Sequence, residues 1–181
     1  GSFRSASGSI PSVNVRYRGS AAVNANGSNE YKNWDVGQEA TLTINGNGET
    51  FLIDKLDLAY RATLVLGGGD YWIDEIKFSG TEVKIIIPAG ETVRIFAKKS
   101  FSVSFKSIIN YRDAATPGLP EQLFIYAYDD VTVDNQSLIP GYIYSKNKVT
   151  IGNAATWKGA ITADDFTLES SVARVIYSLP P

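Results

Sequence analysis

Apolar and polar residues alternate with a period of two along most of residues 51–177, and no stretch there shows a helical period. Successive side chains of a β-strand point to opposite faces, so this pattern predicts strands with one buried and one exposed face. Clusters of Gly, Asn and Asp between the alternating runs indicate turns. The sequence therefore predicts an all-β protein.

Repeated segments within this region share one order of residue types. An apolar residue is followed two places later by a small residue, then by a polar corner and an apolar–polar–apolar triplet. The four segments are residues 94–103, 124–133, 142–151 and 160–168. A second register places residues 51–58 over residues 71–78, and residues 64–66 over residues 84–86. Repetition of this kind indicates stacked structural units.

A right-handed parallel β-helix, which is a form of β-solenoid, accounts for both registers. Each repeat would supply part of one coil, and equivalent apolar residues would form columns inside the tube. The longer step between the first and second repeats predicts a loop inserted at residues 107–122. A β-sandwich is the alternative, and it explains the alternation but not the equal spacings. The main inward column is expected to contain Ile95, Ile125, Ile143 and Ile161.

The chain divides into three parts by composition. Residues 1–2 look like a scar of expression. Residues 3–48 are rich in Ser, Gly, Asn and Ala, and they are expected to form an irregular N-terminal arm with a first strand. Residues 49–178 are expected to form the β-solenoid. The unpaired edges at its ends need a cap, and the arm is a candidate for one of them.

Charge and composition narrow the range of functions. The formal net charge of −2 provides no field that would attract nucleic acid or an anionic membrane, so neither is expected as a partner. The chain has no Cys and no His, which removes thiol chemistry, the commonest general base and the commonest transition-metal ligand. No run approaches the ~20 apolar residues of a membrane-spanning helix, so direct insertion is not expected.

Two acidic residues occupy equivalent positions one repeat apart. Asp54 and Asp74 would stack as like charges, which is unfavourable without compensation. Lys55 could supply it, or a calcium ion held by oxygen ligands could. The plainer interpretation is that these are solvated corner acids, with no cofactor. No nucleophile elbow, phosphate loop or metal motif appears in the chain, so no catalytic residue is assigned.

Aromatic residues flank the predicted inward isoleucines. Strand alternation places them outside the tube, where they would form one patch. A monomer seldom leaves such a patch bare, so the arm or the inserted loop is expected to cover it, unless it is functional. The functional interpretations are an interface with another domain or subunit and a platform for sugar rings. The patch consists of Phe96, Phe124, Tyr126, Tyr142 and Tyr144.

The short phrases at residues 143–146 (IYSK), 149–154 (VTIGNA) and 159–163 (GAITA) identify a family. The chain resembles the repeat region of MshQ-type proteins, which accompany the biogenesis machinery of the mannose-sensitive haemagglutinin (MSHA) pilus, a type IV pilus. The resemblance extends over residues 51–177. It implies a bacterial domain at the cell surface or on a pilus, and it brings no catalytic residues. The turn of one repeat contains Gly152, whereas the equivalent positions in the preceding and following repeats are Asp134 and Glu169. The chain therefore departs from the family's turn pattern.

The expected function is a non-catalytic structural or adhesion module, extracellular and attached to a bacterial cell surface or pilus. Its expected partners are other domains of a parent protein, pilus components and surface glycans. The competing class is a carbohydrate-binding module or a polysaccharide lyase on the same fold. Fold alone does not choose between these classes.

Overall fold

A computed structural model describes residues 3–6, 10–113 and 115–177. Within these residues the chain forms strands β1 to β20, one turn of 3-10 helix at Pro120–Gln122, and no α-helix. Every strand-to-strand pairing is parallel, except for one isolated antiparallel bridge between Tyr111 and Pro117. The predicted solenoid is therefore confirmed, and the β-sandwich is excluded because its sheets are antiparallel.

The strands stack into three sheets that share one core. The first sheet contains β1 (Val13–Val15), β3 (Glu30–Val36), β5 (Thr50–Leu58), β7 (Gly69–Phe78), β9 (Val93–Ala97), β12 (Leu123–Ala127), β15 (Tyr142–Ser145) and β18 (Ile161–Thr162). The second contains β2 (Ser20–Asn24), β4 (Thr41–Asn45), β6 (Thr63–Leu66), β8 (Lys84–Ile86), β11 (Ile108–Tyr111), β14 (Leu138–Pro140), β17 (Thr156–Gly159) and β20 (Arg174–Tyr177). The third contains β10 (Phe101–Val103), β13 (Val131–Val133), β16 (Lys148–Ile151) and β19 (Asp165–Leu168).

Long strands turn a corner in the early coils, so that the third face continues through them. In β5, the half-buried pair Asp54–Lys55 interrupts the alternation of buried and half-buried residues, and β7 shows the same interruption. The second half of β7 ends at Phe78, whose ring meets Phe101 of the third sheet at 6.1 Å between centroids. The coils from β3 onward thus enclose the core with three faces, whereas β1 pairs only with the second half of β3, on the third face.

The predicted column of isoleucines is confirmed. Ile125 pairs with Ile95 on one side and with Ile143 on the other, and Ile143 pairs with Ile161. The first three are at most 4% exposed, whereas Ile161 in the last coil is half-buried. Burying one such side chain is worth about 1.5–3 kcal/mol, so columns of this kind supply much of the stability.

One predicted register is wrong by a single residue. Leu64 pairs with Ile85, and Thr63 with Lys84, whereas the sequence repeat placed Leu64 over Lys84. The corner that follows β7 holds one more residue than the corner that follows β5, which restores the apolar match. A one-residue shift reverses which side chains face inward, so burial of Leu64 and Ile85 fixes the observed register.

The prediction of an irregular arm over residues 3–48 is corrected. Strands β1 to β4 belong to the first coils of the solenoid, and β2 pairs with β4 along its whole length. These coils use short and polar strands, such as the sequence SAAVN in β2, so their alternation is weak in the sequence. The predicted scar at residues 1–2 and the predicted end of the solenoid at residue 178 lie outside the described residues.

The insertion is shorter than predicted. Ile108–Tyr111 is strand β11, paired with β8, so the extra residues begin after it and end at Gln122. The amide of Asn110 donates to the backbone oxygens of Leu119 and Pro140, both at 2.8 Å. Gln122 donates to the backbone oxygen of Pro88 at 3.0 Å. These bonds hold the insertion against the second sheet.

The corner before the second sheet repeats a left-handed backbone conformation. A non-glycine residue there costs about 1–3 kcal/mol. The cost is offset in part because its amide donates to the next coil, as from Glu39 to the oxygen of Tyr60 at 2.9 Å. Ion pairs also join the corners, between Arg18 and Glu39 at 2.6 Å and between Arg61 and Glu82 at 2.9 Å. The corner residues, with φ between 52° and 58°, are Arg18, Glu39, Arg61, Glu82, Lys106, Gln136 and Ala154.

Candidate functional site

A stack of three aromatic rings runs up the outside of the first sheet. The rings of Trp72 and Phe96 lie 4.1 Å apart and 8° from parallel, and those of Phe96 and Tyr126 lie 5.0 Å apart and 11° from parallel. Parallel pairing of β7, β9 and β12 puts these residues directly opposite one another. Stacked pairs of this kind contribute about 0.5–1.5 kcal/mol beyond their buried area.

Sequence reasoning found Phe96 and Tyr126 but not Trp72. The sequence did indicate Trp72, because residues 69–73 align with residues 93–97 as equivalent parts of two coils. This alignment places Trp72 next to Phe96 in the outward column. The indole nitrogen of Trp72 is buried and has no hydrogen-bond partner among the described residues. The stack therefore begins one coil earlier than the predicted patch.

The stack ends at Tyr126. Tyr144 is opposite Tyr126 in register and is 48% exposed, and among the described rings no stacked pair follows that of Phe96 and Tyr126. A cleft of about 270 Å³ opens beside this break, lined by Phe96, Tyr126, Ala127, Tyr128, Tyr144 and Lys146. The ammonium of Lys146 lies 4.2 Å from the centroid of the Tyr128 ring. The cleft thus offers aromatic surface and one positive charge.

The other two predicted aromatics form a separate column. Phe124 pairs with Tyr142, and their rings are 5.4 Å apart and tilted by 42°. Tyr142 is only 7% exposed, so it presents little surface to a ligand. The predicted single patch is therefore two columns, of which only the one that ends at Tyr144 borders the cleft.

The N-terminal segment at residues 3–6 covers the lower part of the stack. The ring of Phe3 meets Trp72 edge-on at 5.3 Å and Tyr128 edge-on at 5.4 Å. The ammonium of Lys98 lies 5.5 Å from the Phe3 ring. Coverage by the N-terminal residues, which the sequence favoured, is thus seen at Trp72 and Tyr128, while the cleft beside Tyr144 stays open.

Of the two acids considered as calcium ligands, Asp74 forms an ion pair. A carboxylate oxygen of Asp74 lies 2.8 Å from the ammonium of Lys98, and the other accepts a hydrogen bond from Ser5 at 2.9 Å. Across the described ranges, no group of three or more acidic residues is placed to hold a metal ion. Lys55, the lysine that the sequence suggested for this role, lies 3.4 Å from Asp57 instead, and the partner of Asp74 is Lys98. Calcium at Asp54 and Asp74 stays a prediction.

Further ion pairs tie neighbouring coils on the same side of the solenoid. Lys99 lies 2.6 Å from Glu75, and its ammonium holds the pKa of that carboxyl below the usual value. Both groups are well exposed, so the pair stabilises the fold only slightly.

No described helix is long and apolar enough to cross a membrane.

The cleft is lined by four aromatic rings, three of which carry a phenol hydroxyl, and by Ala127 and Lys146. It offers a ligand ring stacking, hydrogen bonds to the hydroxyls and one positive charge. Comparisons of the chain with protein-family models, with curated proteins and with solved structures found no significant match.

Proposed function

We propose that the chain is a non-catalytic structural and adhesion module, a stiff β-solenoid that presents a ring-binding cleft for surface glycans. The observation that carries this proposal is the break in the aromatic stack between Tyr126 and Tyr144. Parallel stacking covers both ring faces of Phe96 and one ring face of Tyr126. The cleft lies where the stack stops, so it gives a planar or chair-shaped ring access to Tyr126.

The size and polarity of the cleft favour a single sugar unit. At about 270 Å³ it lies near the lower end of the volumes typical for small-ligand sites. The tyrosine rings supply rigid apolar surface with polar tips, a combination that suits the mixed polarity of a pyranose. Lys146 adds a donor and a positive charge, which favours sugars that carry a carboxylate or sulfate.

The lyase alternative receives less support. Lyases on this fold would need acids beside Lys or Arg in an open groove. Asp74 and Lys98 are adjacent, but they are paired with each other and Ser5 lies over them. A groove of about 630 Å³ does place Glu82 beside basic side chains, but Glu82 is paired with Arg61 at 2.9 Å. The groove is lined by Arg61, Thr63, Glu82, Lys84, Lys106 and Ile108. A location at a bacterial surface or on a pilus, with other domains of a parent protein as partners, is supported by the likeness of the repeat phrases to MshQ-type proteins.

Glycan binding tests the proposal. The protein is screened against an array of neutral and acidic glycans, and binding to the best ligand is then measured by calorimetry for Tyr126→Ala and Tyr144→Ala. We expect each substitution to weaken binding at least about fivefold, since loss of a stacking ring is worth about 1–3 kcal/mol. Tyr17→Ala is the matched control, because Tyr17 is a similarly exposed tyrosine beside the first corner. Absence of glycan binding, or equal binding by all variants, would refute the sugar-binding proposal.

A further inference from the structure

The last coil exposes apolar residues that occupy core columns. Phe166 continues the column of Val149, and Val175 continues that of Trp157; Val149 and Trp157 are fully buried. A cavity of about 300 Å³ opens there, lined by Ile161, Ala163, Phe166, Val175 and Tyr177. Exposed apolar surface of this extent indicates an interaction site. The large exposed apolar residues of this coil are Phe166, Leu168, Val172, Val175, Ile176 and Tyr177, with exposures of 36% to 68%.

The first coil has the complementary shape. Its inward residues are small. Val15 is buried at 4% exposure, and the others are only partly buried against the core next to them: Val13, Ala21, Val23 and Ala25. Of the large apolar residues that are strongly exposed in the described chain, only Tyr17 belongs to this coil. Small side chains at one end leave room for the large side chains at the other, as required for close packing.

Both ends also present strand edges of the same polarity that are unpaired within the described part of the chain. There, strand β2 pairs only with β4, and β20 pairs only with β17. Because all these pairings are parallel, β20 of one molecule and β2 of another can pair in the same sense as every other neighbouring pair in the second sheet. Open edges of this kind recruit further strands unless they are protected.

The charges of the two end coils are opposite. Residues 10–25 contain two arginines and no acid, a net charge of +2. Residues 160–177 contain three acids and one arginine, a net charge of −2. Contact between unlike ends is therefore attractive, and contact between two like ends is repulsive. Arg18 is paired within its own chain to Glu39, which leaves Arg16 as the main free charge of the first coil.

We propose that a second copy of this chain stacks end to end on the first, with its N-terminal coil against the C-terminal coil. The contact continues the coil-to-coil interface that already runs through the molecule, on the second and third faces and with the same strand direction. Such a head-to-tail contact does not close on itself, so it produces rods of increasing length. This inference does not depend on glycan binding.

Two variants, each blocked at one end, test the proposal. Val23→Lys places a charge in the inward column of the first coil, and Val175→Lys does so in the last coil. Sedimentation velocity of the unmodified protein should show species that lengthen with concentration and shorten with added salt. Each variant alone should be monomeric, and an equimolar mixture should form a dimer and nothing larger.

Several outcomes would overturn the proposal. These are a monomeric unmodified protein at about 1 mM, dimers of Val23→Lys alone, or a mixture that stays monomeric. Dimers of Val23→Lys alone would indicate contact between two C-terminal ends instead. Circular dichroism melts check that each variant folds, and Tyr177→Lys, at a 68% exposed position, replaces Val175→Lys if the latter does not. Tyr144→Ala, on the side of the solenoid, should assemble normally.

Discussion

Replacing Ile125 by alanine probes the stacked columns on which the fold depends. Ile125 is 1% exposed, and it lies between Ile95 and Ile143 in the same inward column. The substitution removes three carbons, or about 2.4 kcal/mol at 0.8 kcal/mol for each buried methylene. The cavity left between two coils adds to this, because neighbours in a packed core relax only partly. We therefore expect a loss of about 2–5 kcal/mol in the free energy of unfolding.

Urea unfolding followed by tryptophan fluorescence measures this loss, since Trp34 and Trp157 are fully buried. Ile125→Val should cost only about 0.5–1.5 kcal/mol, because it leaves a smaller cavity. Thr132→Ala is the control on the outward face of the neighbouring third sheet, and it should change stability by less than about 0.5 kcal/mol. A loss below about 1 kcal/mol for Ile125→Ala, or an equal loss for Thr132→Ala, would refute the assignment of this column to the core.

Two further predictions concern a close backbone approach and a buried hydroxyl. Gly159→Ala should destabilise the protein by more than about 3 kcal/mol, because φ is +140° there and a Cβ atom would collide with the backbone oxygen of Gly141. Thermal unfolding measures the loss. Burial raises the pKa of the Tyr71 hydroxyl, which donates to the oxygen of Gly67 at 2.7 Å. Its contribution to stability is therefore complete below the unfolded pKa of about 10 and is lost as the pH rises above it. Tyr71→Phe should reduce the loss of stability between neutral and alkaline pH, while costing about 1 kcal/mol at pH 7.

Controls separate these effects from general damage. Gly27→Ala also has a positive φ, of +83°, but no atom within 4 Å of the added Cβ, so it measures the cost of a positive φ without a collision. Equal losses for the two glycine variants would contradict the close approach at Gly159. Urea unfolding of Tyr71→Phe and the unmodified protein is compared from pH 7 to about pH 11, above the usual tyrosine pKa. The same dependence on pH in both would contradict a buried, ionisation-resistant Tyr71.

The sequence predicted the fold where large apolar residues recur at equal steps. Ile125 and Ile143 could be aligned because each is preceded by an aromatic residue and followed two places later by a small one. The same reasoning failed in the first coils, where β2 contains only alanine and valine as apolar residues. A terminal coil has core on one side only, so it needs less apolar volume and leaves a weaker pattern.

The site was predictable in part for a related reason. Register alone places Phe96, Tyr126 and Tyr144 in one outward column, and the structure confirms that order. Register does not fix side-chain rotamers, so the break between Tyr126 and Tyr144 could not be read from the sequence. The docking of Phe3 on Trp72 joins residues 69 positions apart in the chain, and nothing in the repeat pattern specifies such a contact.

The recurring left-handed corner has a consequence for how the gene can change. Each coil begins and ends at an equivalent backbone geometry, so duplication or loss of DNA that encodes one whole coil would leave the flanking strands in register. The stability of a repeat protein is approximately the sum of the stabilities of its units and of the contacts between neighbouring units. An added unit therefore changes stability mainly through its contacts with the two units that it touches. Evolution can therefore adjust the span between the two ends in single steps, while Tyr126, Tyr144 and the cleft between them are inherited intact.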